Sequence, residues 1–127
     1  MAEEKKKKLL VVEDDEFISA IYAKKLSMEG YEVRLAGNGE RALSMMNEEK
    51  PDLVLLDIIM PIMDGLETLQ RIRADEKLRD VKVAVLSNLS EDKDMSRTRE
   101  LGAIDYLVKA NISVADLSTK VAGYLAA

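Results

Sequence analysis

The chain has no cysteine and no histidine among its 127 residues. Without cysteine there is no disulfide framework and no thiolate metal site. Without histidine the commonest general base is gone, with the usual zinc ligand and every Ser-His or Cys-His nucleophile pair. No apolar run approaches the length of a membrane span, and the opening MAEEKKKK holds no hydrophobic segment of the kind a secretory signal needs. We therefore expect a cytoplasmic protein with no membrane contact. Excess basic charge is missing too: the net charge is −5, and Lys5 to Lys8 form the one basic run. Sequence-independent binding to nucleic acid needs clustered cations, so no direct nucleic-acid partner is expected. The basic run reads as a solvated leader, residues 1–7, ahead of a first strand.

What is present is a globular composition. Apolar residues make up 47% of the chain, and the length suits one domain, 1–127, with a real core. Short apolar runs recur at Leu9 to Val12, Tyr31 to Ala36, Leu53 to Leu56, Val81 to Leu86 and Tyr106 to Val108. Most are continuous rather than alternating, as strands are when a parallel sheet is covered on both faces. Between them lie segments with helical spacing. Phe17, Ile18, Ile21, Tyr22 and Leu26 form the first stripe, closed by Gly30. Asn38 and Asp64 can cap the second and third helices. The second turns Ala42, Leu43 and Met46 inward, and the third Leu66, Leu69 and Ile72. Ser90 opens a fourth helix that Gly102 stops, and Ser113 opens a fifth carrying Val114, Leu117, Val121 and Leu125. Strand and helix alternate five times, which predicts an α/β fold: an open parallel sheet with helices on both faces. Met45, Met46 and Met63 read as packing, not as ligands.

Ligands of such a sheet bind outside the carboxyl ends of its strands. The predicted strand ends carry Glu13-Asp14-Asp15, then Asp57, then Ser87-Asn88, then Lys109. A carboxylate emerging from the apolar run Leu53 to Leu56 is costly unless compensated. Hard oxygen donors without sulfur or imidazole suit Mg²⁺ or Mn²⁺. An aspartate beside a divalent ion and a lysine can attack phosphorus to give an acyl phosphate. Taken singly each residue has a plainer reading. The acids could favour a helix dipole, Ser87 could be an ordinary strand-end hydroxyl, Tyr106 half-buried core, and Lys109 solvated.

Together, LLVVEDD, LVLLDIIMPIMDG, VAVLSN and GAIDYLVKA resemble the motifs of the response-regulator receiver family of two-component signalling, from Lys8 to about Leu125. The resemblance implies a five-stranded sheet ordered 2-1-3-4-5, as in the chemotaxis receiver that exemplifies this doubly wound order. It implies Asp57 as phospho-acceptor, with Asp14, Asp57 and the Ile59 backbone carbonyl on the metal and Glu13 acting through a water. Asp15 becomes a helix cap. Ser87 and Lys109 would hold phosphoryl oxygens, and Tyr106 would move inward as Ser87 shifts. The implied function is a switch loaded by a sensor histidine kinase or phosphotransfer protein, not an enzyme beyond its own phosphorylation and dephosphorylation. A downstream protein would bind the face of the fourth helix, fifth strand and fifth helix, with Leu107, Ala103 and Met95 as candidates. The chain would be either a stand-alone receiver or a domain of a longer protein. One departure stands out: Ala110 follows Lys109 where the family has proline after a cis bond. The peptide is then either trans with a rearranged loop or strained, since cis before a non-proline costs about 2.5–4 kcal/mol. Ile59 and Leu89 are apolar where relatives often place water-orienting polar groups, which implies slow self-dephosphorylation. Two other functions compete. An aspartyl-phosphate phosphohydrolase usually has a second acid two residues after its nucleophile, where this chain has Ile59. A degenerate receiver acting as a constitutive interaction module would not need the complete acid set.

Overall fold

The computed structural model describes residues 6–88 and 92–126. The element order is β1 (Lys8–Val12), α1 (Glu16–Met28), β2 (Glu32–Ala36), α2 (Gly39–Glu48), β3 (Leu53–Leu56), α3 (Gly65–Ala74), β4 (Lys82–Ser87), α4 (Asp92–Glu100), β5 (Asp105–Val108), a 3₁₀ turn (Lys109–Asn111) and α5 (Val114–Ala126). The five strands form one sheet ordered β2-β1-β3-β4-β5, every neighbouring pair parallel. Ser90 and Leu89, the expected helix opener and one of the two apolar tuning positions, fall outside the described residues.

The continuous apolar runs are explained by two cores, one on each face. Leu10, Val12, Val54, Leu56 and Val83 face α2 and α3, packing on Ala42, Met46, Leu69 and Ile72. Their alternates Leu9, Val11, Leu53, Leu55, Ala84 and Leu86 face α1 and α5, packing on Leu26, Leu117 and Val121. Side chains alternate across a strand, so a strand covered on both faces must be apolar at every position. The edge strands β2 and β5 are only partly buried, in keeping with their place in the sheet.

Side chains nucleate the helices. Asp15 accepts from the N–H groups of Phe17 and Ile18 at 2.9 and 3.1 Å. Asn38 accepts from Arg41, Asp64 from Glu67 and Ser113 from Asp116, at 2.8, 2.9 and 3.0 Å. Each satisfies an orphan N–H of a first turn. Gly30 follows the end of α1 at φ +98°, a left-handed conformation that glycine adopts without strain.

The first helix departs from expectation. Tyr22 packs against the core, Ile18 is half-buried and Leu26 is fully buried, but Phe17 is 80% exposed and Ile21 43%. Residues 18, 22 and 26 repeat every four positions and keep one face. Residues 17 and 21 sit one position off it, rotated about 100° towards solvent. Leu107, a candidate for the partner face, is buried in the core of α1 and α5 and cannot serve there. Ala103 and Met95 remain partly accessible.

Candidate functional site

Three strand ends deliver the acids. Beyond β1, the Glu13 N–H continues the sheet by donating to the Ala36 carbonyl at 3.0 Å. Beyond β3, the Asp57 N–H donates to the Val12 carbonyl, also at 3.0 Å. The ladder therefore runs one residue past each strand and sets both side chains at the carboxyl edge. Oxygens of Glu13, Asp14 and Asp57 all lie within 4.8 Å of one another. Glu13 and Asp57 are buried, while Asp14 is exposed. This mixed pocket, hard oxygens with one open side, fits a Mg²⁺ or Mn²⁺ that keeps several waters.

Lys109 crosses to the same place from β5. Its ammonium donates to Asp57 at 2.9 Å and to Glu13. One cation thereby bridges the ends of β1 and β3 from a strand at the sheet's far edge. Burial pushes the Lys109 ammonium's pKa down, but hydrogen bonds to the two carboxylates outweigh it and hold the value above the ordinary one. Burial pushes the Glu13 carboxyl up, further than its bonds from Lys109 and from the Asp15 N–H can bring it back. Tyr22, on the core face of α1, is raised by burial and by the charges of Glu13 and Asp57, against the opposing pull of Lys109.

The departure at Ala110 resolves as a trans peptide, with no cis bond among the described residues. Lys109 opens the 3₁₀ turn Lys109–Asn111, and its carbonyl accepts from the Ile112 N–H at 3.4 Å. A short rearranged turn thus delivers the lysine without the cost of a non-prolyl cis bond.

The loop after Asp57 is tightly folded. Gly65 N–H donates to the Ile58 carbonyl at 2.7 Å, and a Cβ on Gly65 would lie 2.1 Å from the Asp57 carbonyl oxygen. Only glycine lets the start of α3 approach the acceptor so closely. The Ile59 N–H donates weakly to Asp57 Oδ1 at 3.4 Å, and the Ile59 side chain is 60% exposed.

Ser87 ends β4 almost fully buried, and its hydroxyl shares a hydrogen bond with Tyr106. Burial raises the phenol's pKa first, and the nearby Asp94 carboxylate adds to the effect. Two features had no sequence signal. Ile62 holds φ +70°, unusual for a β-branched residue. Arg73, in the last turn of α3, donates to the carbonyls of Leu101, Arg79, Val81 and Gly102 at 2.8–2.9 Å. In sequence it reads as an ordinary basic residue at a helix C-terminus.

The family model described as response regulator receiver domain matches residues 9–122. The chain belongs to the response-regulator receiver family. A receiver domain protein from Methanospirillum hungatei superposes with a TM-score of 0.89 at 29% identity, over 96% of this receiver and 95% of that chain. Among curated proteins, a probable transcriptional regulator ycf27 of Guillardia theta is 43% identical over 97 residues, 76% of this receiver and 37% of the relative. The DNA-binding dual master transcriptional regulator RpaA of Synechocystis is 36% identical over the same share of this receiver and 40% of its own length. The receiver thus spans about two fifths of these relatives. They are signalling regulators rather than classical enzymes, and one is named as DNA-binding, so they lend no support to the expectation of no nucleic-acid contact. No described helix is long and apolar enough to cross a membrane.

Proposed function

We propose that this receiver is a phosphorylation-activated switch in which Asp57 accepts a phosphoryl group from a sensor histidine kinase or phosphotransfer protein. The observation that carries the reading is the junction of Glu13, Asp14 and Asp57 within 4.8 Å, with the Lys109 ammonium on Asp57 at 2.9 Å. An Asp57 carboxylate oxygen forms a bond to phosphorus as the donor's P–N bond breaks. The electron pair leaves with the imidazole nitrogen, which takes a proton from solvent. No base is required, because the carboxylate attacks in its ionised form.

Asp14, Asp57 and the Ile59 backbone carbonyl would hold Mg²⁺ or Mn²⁺, with Glu13 acting through a water. A divalent ion held there supplies charge neutralisation for the transferring group. Lys109 binds a phosphoryl oxygen and leaves Glu13 or Asp57 to do so. Ser87 donates to a second oxygen, and Tyr106 follows through the hydrogen bond they share. That movement shifts the population between two packings of α4 and β5, and a downstream protein reads the α4, β5 and α5 face. The chain, 1–127, acts as one receiver in the cytoplasm. A constitutive interaction module would have no use for a lysine clamped between two buried acids, and a phosphohydrolase would want an acid at residue 59.

The test is intact mass after incubation with acetyl phosphate and Mg²⁺, wild type against Asp57→Asn. One added phosphate on the wild type alone is expected. No addition, or addition to both proteins, refutes the assignment.

A further inference from the structure

Residue 62 carries two costs at once. It is an isoleucine at φ +70°, and its side chain is 75% exposed. The Met63 N–H donates to the Pro61 carbonyl at 2.7 Å, closing a three-residue turn around it. That turn with a positive φ at its centre is the rare, strained form of the γ-turn. A β-branched residue there is an outlier, whereas asparagine or glycine enters that region with little penalty. The exposed side chain gains no burial in the free protein. Neither cost is offset inside the molecule.

The position says what does offset them. Ile62 lies five residues past Asp57, on the loop that frames the acceptor carboxylate. Ile59, on the same loop, is 60% exposed, and Phe17, at the start of α1, is 80% exposed. A hollow of about 290 Å³ opens beside Ile62, lined by Asn38, Glu40, Arg41 and Ser44 at the first turns of α2. We propose that Ile62 is a recognition residue for the histidine-bearing protein that loads Asp57: the strained turn holds its side chain out against an apolar patch of that donor. This rests on the reading of Asp57 as acceptor. The occupant follows from continuity with the acceptor site, because a protein-bound phosphohistidine reaches Asp57 only by covering the rim of this loop. A small phosphodonor needs no rim contact.

The experiment compares wild type with Ile62→Asn, Ile62→Gly and Ile62→Leu. Phosphorylation is followed from two sources: acetyl phosphate, and a panel of autophosphorylated sensor-kinase cores from which those that load the wild type are used. Thermal unfolding and sedimentation velocity accompany each variant. We expect Ile62→Asn and Ile62→Gly to melt no lower than wild type and to load normally from acetyl phosphate. Their transfer from the kinase cores falls by about tenfold or more at limiting receiver concentration, and Ile62→Leu keeps most of it. Unchanged transfer in the asparagine and glycine variants overturns the proposal. So does a wild type that no core loads although acetyl phosphate does, and so does a wild-type dimer that the substitutions abolish with transfer intact. Failure of acetyl phosphate to load wild type would instead strike the acceptor assignment itself.

Discussion

Replacing Lys109 with methionine removes one charge and keeps much of the side chain's bulk. Lys109, Glu13 and Asp57 side chains are 11%, 4% and 9% exposed, so the loss leaves two carboxylates nearly dry and facing each other. Breaking a buried pair by deleting one partner costs about 3–5 kcal/mol. Asp14 keeps one side of the pocket wet, which sets the expectation near the lower end, about 3 kcal/mol. With an unfolding entropy of roughly 2 cal/mol/K per residue, that lowers Tm by about 10 °C in a chain of 127 residues. The sign of the pH dependence follows. Glu13 already titrates above its ordinary value of 4.5 through burial, and losing the lysine raises it further. An acid whose folded pKa is raised loses stability as pH climbs from the unfolded value through the folded one. The deficit of Lys109→Met is therefore largest at neutral pH and shrinks on acidification as Glu13 protonates. Urea unfolding followed by far-UV circular dichroism, in EDTA and across that range, measures it. Saturating Mg²⁺ should stabilise the variant more than the wild type, since a cation then returns to the two acids. A variant within about 0.5 kcal/mol of wild type at neutral pH, the scatter of an ordinary surface change, would show that Lys109 does not compensate the pocket.

The Tyr124 hydroxyl donates to the Asp105 carboxylate, and its pKa is raised from 10.0 by burial first and by that bond second. Its protonated form is favoured in the fold, so this contribution is complete below the unfolded value and declines as pH rises beyond it. Tyr124→Phe should cost about 1.5–3 kcal/mol at neutral pH, and the gap should narrow in alkali, read by urea unfolding beside a tyrosinate absorbance titration. At the acceptor, Ile59→Asn places a water-orienting amide two residues beyond Asp57 and should speed loss of the phosphoryl group about tenfold or more. Phosphate release from the purified phosphoprotein measures it, and an unchanged lifetime refutes the idea that the apolar residue protects the acyl phosphate.

The alternation of strands and helices was legible because a sheet covered on both faces forces runs such as Leu53 to Leu56, which no exposed strand would carry. The caps Asp15, Asn38, Asp64 and Ser113 were legible because their chemistry is local. Glu13, Asp14, Asp57 and Lys109 were legible through their spacing and meet as that spacing implied. What escaped depends on rotation or on distant backbone. Phe17 and Ile21 fit a helical repeat as well as Ile18 and Tyr22 do, and only docking against β1 and β2 decides which pair turns inward. Leu107 looked available because a half-buried edge strand and a buried one share composition. The path at Ala110 could not be chosen until the 3₁₀ turn Lys109–Asn111 was seen to carry the lysine with a trans bond. Ile62 and Arg73 act through a φ angle and through carbonyls up to 29 residues away, neither of which residue type announces.

Arg73 grips the Leu101 and Gly102 carbonyls in the turn that follows α4, and those of Arg79 and Val81 ahead of β4, and uses no carboxylate, so neither acid nor salt readily loosens its hold. It makes the far end of α4 a hinge post fixed to α3. A helix tethered at that end can tilt about the post but hardly slide along its own axis.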